Sequence, residues 1–304
     1  MAGVPGKRVD LIGVPIDIGA GRRGVRLGPS ALRAAGIVEQ LKSLGCAVQD
    51  RGDVAVPEAD ERDVGGPGMP RHVDAVRRTC LDTAAMVEES LRNKAFPVVM
   101  GGDHSLATGA LAGCARVVGA QGLIWIDAHA DMNSPASTPT GNLHGMSLAS
   151  ALGDAPDLFP NPEFHTPAVD PTRTVFIGLR DLDPHERRAI RDRGMTAFTM
   201  TDIDRYGMSY VLDRAIETAG RGAASTHVSV DIDSVDPAMA PGTGTPVPGG
   251  LTYREAHLAM EMLAESGIAH SMELTEVNPA LDEHNMTARF AVGLVCSLLG
   301  KRII

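Results

Sequence analysis

Apolar residues in this chain cluster into short unbroken runs, each stopped by a polar or glycine-rich turn and followed by a longer amphipathic stretch. Runs of this kind occupy residues 9–14, 98–100, 123–126, 174–177, 226–230 and 268–274, with a weaker one at 46–50. They are continuous rather than alternating, which predicts strands buried on both faces, as in a parallel sheet. Helical spacing lies between them. The pattern predicts helices over 28–35, 72–93, 106–118, 209–219, 253–265 and 286–299, and a charged one ending at Arg193. Pro29 sits near the first turn of the helix at 28, and Thr252 with Glu255 makes a capping box for the helix at 253. Strands alternating with helices predict an α/β fold on a parallel sheet, and residues 1–304 read as one domain. Residues 57–70 and the proline-rich 153–172 read as surface loops, and 237–250 as lacking regular structure.

The strand ends carry the chemistry. The run at 123–126 exits into Asp127-Ala-His129-Ala-Asp131, three metal-type side chains on alternate residues. Taken alone, that stretch also reads as an acidic turn with one capping Asp. The run at 98–100 exits into Gly-Gly-Asp-His104, and the run at 226–230 into Asp231-Ile-Asp233. Ligands gather at the carboxyl ends of strands in open α/β sheets. Two imidazoles and four carboxylates at three such ends would repel or stay unpaired without a cation. They exceed the needs of one ion and suit a pair of divalent metals with shared carboxylates.

Composition narrows the picture. A net charge of −10 argues against a nucleic-acid surface. Hydrophobic content is 43% and no apolar run approaches membrane-spanning length. The N-terminus runs straight into a strand without the apolar core of a signal peptide, so a cytoplasmic location is expected. Cys46, Cys80, Cys114 and Cys296 are far apart and read as reduced, packed thiols. The glycine-rich loop around Gly19–Gly28 matches neither phosphate-binding fingerprint, and a structural and a functional role stay equally open for it. The polar loop at 134–145 is long for a compact α/β domain, which points to function.

Together, Gly-Gly-Asp-His104, Asp127-Ala-His129-Ala-Asp131, Asp231-Ile-Asp233 and Glu276-Val-Asn-Pro resemble the ureohydrolase family, and within it the arginases. The likeness runs in order from Gly13-Val-Pro15 to the last helix. It implies a three-layer αβα sandwich with a central parallel sheet, two Mn²⁺ ions per chain and hydrolysis of a guanidino group to urea by a metal-bridging hydroxide. Carried over by position, His104, Asp127, Asp131 and Asp231 hold one ion, and Asp127, His129, Asp231 and Asp233 the other. Glu276 is the expected holder of the guanidinium and His144 the expected proton shuttle. Asn133, Thr138, Thr140, Asn142 and Asp183 are expected to read the amino-acid head group, with Glu186 and Thr245 completing the substrate set. The expected substrate is L-arginine, giving L-ornithine and urea, in a homotrimer or homohexamer. Agmatine or a guanidino acid is the alternative substrate, and a metal-stabilised protein without catalysis the more distant one.

Overall fold

The structure, a computed structural model, describes residues 6–58 and 69–302; most of the loop expected at 57–70 lies outside them. Among the described residues, eight strands form one sheet: β1 (Arg8–Val14), β2 (Ala47–Asp53), β3 (Phe96–Gly101), β4 (Gln121–Ile126), β5 (Val169–Leu179), β6 (Thr196–Thr199), β7 (Thr226–Asp231) and β8 (Ala269–Thr275). Every neighbouring pair is parallel, in the order β2-β1-β3-β8-β7-β4-β5-β6. The helices are α1 (Gly28–Ala34), α2 (Ile37–Ser43), α3 (Val73–Arg92), α4 (Ala107–Val118), α5 (Ser147–Leu152), α6 (Pro184–Asp192), α7 (Met200–Tyr206), α8 (Met208–Gly220), α9 (Tyr253–Ser266) and α10 (Met286–Leu298).

Side-chain alternation along the strands sorts the core into layers. Ile124, Ile126, Val228, Val230, Met272 and Leu274 join Leu32, Val211, Leu263 and Val295 on the face covered by α1, α2 and α7–α10. On the other face Leu123 and Trp125 pack with Leu111, Leu148 and Ile190 of α4, α5 and α6, while Ile12 and Val99 pack with α3. This is the expected three-layer αβα arrangement. Central β3, β4 and β7 are buried along their whole length, and β3 and β4 accordingly read as apolar runs, whereas β7 alternates polar and apolar residues; β2, at the sheet edge, is mostly exposed and reads weakly.

The strand order positions the site. β3 and β4 are consecutive in the chain, yet β8 and β7 lie between them. Four adjacent strands therefore deliver their C-terminal ends to one crevice, and those ends carry His104, Glu276, Asp231 and Asp127.

Several local expectations need correction. The helix expected to end at 35 is followed, after Gly36 at φ 82°, by α2. The short β6 and the helices α5 and α7 had no strong apolar period of their own. For α7 the available signal was Thr199 with Asp202, which form a capping box. The 153–172 segment is irregular up to β5, as expected, but it is not all surface. Ala155, Phe159 and Phe164 are buried, and the two phenyl rings meet edge to face at 5.1 Å in the α3 core layer. Prolines prevent regular structure there, while the aromatics anchor the segment. The Thr252–Glu255 capping box is present as expected.

Helix α4, which descends from His104, lies against α3 at backbone distance. A Cβ on Gly109 would stand 2.3 Å from the Cys80 carbonyl oxygen, and one on Gly113 2.5 Å from that of Ala84. Neither carbonyl can retreat without moving its helix. Gly113→Ala is therefore expected to destabilise the protein by about 1–3 kcal/mol, the usual range for overpacking. A lowered denaturant midpoint with an unchanged slope checks it.

Candidate metal centre

The side chains at the strand ends are fixed by their own turns. Asp127 Oδ1 accepts the His129 amide at 2.7 Å, and Asp231 Oδ1 accepts the Asp233 amide at 2.8 Å. The same two-residue turn thus aims both carboxylates of the two strand ends. Asp233 crosses to β4 by accepting the Ala128 amide at 3.3 Å, and its other oxygen takes the Thr245 hydroxyl at 2.8 Å. Asp131 sits at φ 52° and Glu276 at φ 63°, left-handed conformations that are strained for residues with a Cβ. The surrounding bonds enforce both. The Asp131 carbonyl receives the Leu148 and Ala149 amides at the start of α5, and the Glu276 amide donates to the Gly102 carbonyl at 2.8 Å.

His104 is held on three sides. Its ring stacks on Trp125 with centroids 4.2 Å apart, its Nε2 lies 2.8 Å from Ser229 Oγ, and its amide donates to Glu276 Oε1 at 3.0 Å. This leaves Nδ1 buried without a hydrogen-bond partner, facing Asp127 at 3.3 Å and Asp131 and Asp231 at 3.1 Å. Across the cluster, His129 Nδ1 stands 3.1 Å from Asp233 and 3.5 Å from Asp127. Two ligand groups result: His104, Asp127 and Asp231, and Asp127, His129 and Asp233. Asp127 belongs to both. Trp125 Nε1 donates to Asp127 Oδ2 at 2.9 Å and steadies it.

The electrostatics describe a site short of positive charge. Burial, reinforced by neighbouring carboxylates, pushes the Asp131, Asp231 and Asp233 acids above their ordinary range. Burial would lower both imidazoles, yet the surrounding carboxylates raise His104 and His129 well above theirs. Burial also disfavours charge on Asp127, but its two imidazole neighbours outweigh that and pull it down. An orphaned, buried Nδ1 among carboxylate oxygens has the donor set of a hard divalent cation, and that cation would remove the charge deficit. The residues present fit such ions.

Above the cluster opens a cavity of about 160 Å³. His129, Asp131, Asp231 and Asp233 reach it from the strand ends, and Asn133, Thr138, Thr140, His144, Glu186 and Thr245 line the rest. Asn142 and Asp183 are not on that wall. Asn142 Oδ1 accepts from Arg71, while Asp183 caps α6 and receives Asn133 Nδ2 at 2.7 Å. Glu186 completes the α6 capping box, and burial lifts its carboxyl to about 7. His144 Nδ1 pairs with the buried Glu276 at 3.0 Å. Burial opposes charge on His144, but Glu276, with Asp131 and Asp103, raises it to about 9.

The glycine-rich loop has a structural role. Gly19 donates to Asp103 at 2.8 Å and accepts the His144 amide at 3.1 Å, joining the loop to the turn that carries His144. Trp125, Ser229, Asp103 and Arg71 support the site yet escaped the sequence reading. Trp125 and Ser229 look like ordinary strand residues, and only alternation with Asp127 and Asp231 hinted that they share their faces.

Comparison with known proteins is consistent along the chain. Residues 7–300 match the profile of the Arginase family. An arginase of Bacillus caldovelox is 44% identical over 298 residues, covering 98% of this chain and 100% of that one. An arginase of Brevibacillus brevis is 44% identical over 307 residues, covering 98% and 99%. The solved native structure of the Bacillus caldovelox arginase superposes with a TM-score of 0.94 at 44% identity, over 98% of this chain and 100% of that one.

Because the cluster lacks positive charge, divalent ions should stabilise the folded chain. Addition of Mn²⁺ to chelator-stripped protein at ~100 times its dissociation constant is expected to add ~2.7 kcal/mol, read as a rise in melting temperature. Asp127→Ala should forfeit more bound metal than His104→Ala, since Asp127 serves both groups and His104 only one. Equal metal content in the two variants would refute the sharing.

Proposed function

The chain belongs to the arginase family of hydrolases, and on that premise we propose that it hydrolyses L-arginine to L-ornithine and urea with two Mn²⁺ ions at the strand ends. The observation that carries this reading is the pair of ligand groups sharing Asp127 directly under a small polar cavity. One ion would be held by His104, Asp127, Asp131 and Asp231, the other by Asp127, His129, Asp231 and Asp233. Carboxylate-rich coordination favours Mn²⁺ over softer metals. When bound, such ions supply Lewis-acid charge and lower the pKa of a water from about 15.7 to around 7.

The remaining work falls to this chain's residues. A guanidinium carbon is deactivated by resonance, so it must be held in place while water adds and an amine leaves. Glu276 is assigned to hold the guanidinium, because a carboxylate matches its fork geometry. Gly244 lies directly beside that carboxylate, since a Cβ there would make van der Waals contact with Glu276 Oε2 at 3.8 Å. His144 is assigned the proton. With its pKa near 9 it is charged at neutral pH, Nδ1–H directed at Glu276 and Nε2–H available for the departing amine.

Head-group recognition is assigned to the loop after Asp131. Thr138 Oγ1 accepts the Gly141 amide at 3.0 Å and Thr140 Oγ1 accepts the Asn142 amide at 3.2 Å. With their oxygens so occupied, both hydroxyls are left to donate, which suits an α-carboxylate. Asn133 and Asn142 flank them. Asp183 is assigned the α-ammonium; burial opposes its charge, but Asn133 and the first amides of α6 hold it below the ordinary carboxylate range. Glu186 and Thr245 complete the cavity wall. We further propose that residues 1–304 act as one catalytic domain, in the cytoplasm, as a homotrimer or homohexamer. Among the described residues no helix is long and apolar enough to cross a membrane.

Two outcomes are expected from Mn²⁺-loaded protein. Arginine should yield urea and ornithine, whereas agmatine, lacking the carboxylate, leaves the loop donors unpaired and should react poorly. Equal efficiency on the two substrates, with both products quantified, would overturn the head-group assignments. His144→Ala should lower kcat by roughly 10²–10⁴-fold at unchanged metal content. Full turnover in a metal-replete variant would remove His144 from the mechanism.

A further inference from the structure

Below the metal centre, the face of β7 and β8 turned toward α4 is polar, where a buried parallel sheet is ordinarily aliphatic. His227, Ser229 and Asp231 alternate onto that face of β7, and Ser271, Glu273 and Thr275 onto that of β8. They stand in register, His227 beside Ser271, Ser229 beside Glu273 and Asp231 beside Thr275. None of the six is more than 3% exposed. Val228, Val230, Met272 and Leu274, on the opposite face, belong to the aliphatic core.

Their hydrogen bonds fall into two sets, one around His227 and one at Ser229, with no bond between Ser229 and Glu273. His227 Nε2 meets Glu273 Oε2 at 2.5 Å and its Nδ1 meets Ser271 Oγ at 2.7 Å. Glu273 Oε1 is buried with no partner. On the neighbouring strand, Ser229 Oγ lies 2.8 Å from His104 Nε2. For His104 to offer Nδ1 to a cation, its proton must sit on Nε2 and point at Ser229 Oγ. The Ser229 hydroxyl hydrogen then requires an acceptor of its own. Its in-register neighbour is the carboxylate with an unused oxygen, Glu273.

We propose that Glu273 is a positioning residue for the metal centre, holding His104 in its Nε2–H tautomer through the Ser229 hydroxyl, with His227 as the counter-charge that keeps the carboxylate in place. The proposal rests on the reading of His104 as a metal ligand. It also explains why an ion pair is kept in the middle of a core layer. A buried pair of this kind adds little to stability compared with packed hydrocarbon, but here it ends a chain that orients a ligand.

Mn²⁺ affinity of the metal-stripped full chain, measured by competition with a fluorescent chelator, tests it. Glu273→Gln is expected to weaken one of the two sites by about 10–100-fold, the usual effect of losing a partner behind a ligand, and to leave the other site near wild type. Ser229→Ala should weaken the same site, and the double variant should lose little more than either single one, because both cut one chain. In Co²⁺-loaded protein, the exchangeable hyperfine-shifted ring N–H of His104 should exchange faster with solvent in Glu273→Gln. Additive losses, or unchanged affinity in Glu273→Gln, overturn the proposal. If Glu273→Gln does not fold, the cycle of Ser229→Ala with His227→Gln is judged by the same additivity. Wild-type protein that binds no divalent ion overturns the metal reading itself, and this proposal with it.

Discussion

Four carboxylates and two imidazoles, most of them buried, are packed together at the ends of adjacent strands. Carboxylates taken out of water so close to one another are tolerable only if something positive is shared among them. Much of the architecture around the cluster answers that single constraint. Strand-end turns spend backbone amides on Asp127 and Asp231, and Thr245 spends its hydroxyl on Asp233. Asp231 divides its oxygens, Oδ1 taking the amide and Oδ2 facing His104 Nδ1, whereas the oxygens that face His129 Nδ1, Asp127 Oδ1 and Asp233 Oδ2, also accept these bonds. The proposed pair of divalent cations would complete the balance and at the same time supply Lewis-acid charge for guanidinium hydrolysis.

The same constraint explains where strain is kept. Asp131 and Glu276 are held in left-handed conformations by bonds from α5 and from the Gly102 turn. Gly102 itself has no room for a Cβ, which would fall 1.9 Å from the Ile16 carbonyl oxygen. Rigid neighbours therefore impose positions that the local chain would not choose. Such strain is stored where a side chain must point into the site rather than where its backbone would rest.

Helix capping and the proposed head-group reading would draw on the same atoms. Asp183 and Glu186 make the N-terminal box of α6, and Asn133 bonds to Asp183 from the loop after the metal motif. Asn133 and then the first amides of α6 outweigh burial and hold Asp183 below the ordinary carboxylate range, and the amides fix its direction. Recognition of an α-ammonium at that carboxylate would thus depend on a structural element already needed to start the helix. The glycine-rich N-terminal loop plays a comparable part for His144 through Gly19 and Asp103.

The metal-type residues were legible in the sequence because they lie within a few residues of the apolar runs that predict strands. Alternation and strand-end placement are local properties, so Asp127, His129, Asp131, His104, Asp231 and Asp233 stand out without a fold. The parallel α/β fold was legible for a similar reason: most strands buried on both faces leave short apolar runs, while the three layers were implied by the family resemblance. Short elements such as β6 and α5 were not, since a few residues carry no period. Other features needed tertiary structure. Insertion of β8 and β7 between β3 and β4 brings Glu276 to His104 across 172 positions of sequence, a pairing no local pattern encodes. The burial of Phe159 and Phe164, the attachment of Asn142 to Arg71, and the polar stripe ending at Glu273 are likewise products of packing. In sequence His227, Ser229 and Glu273 are scattered polar residues. Only register between neighbouring strands sets them side by side, because proximity depends on distance in space and not along the backbone.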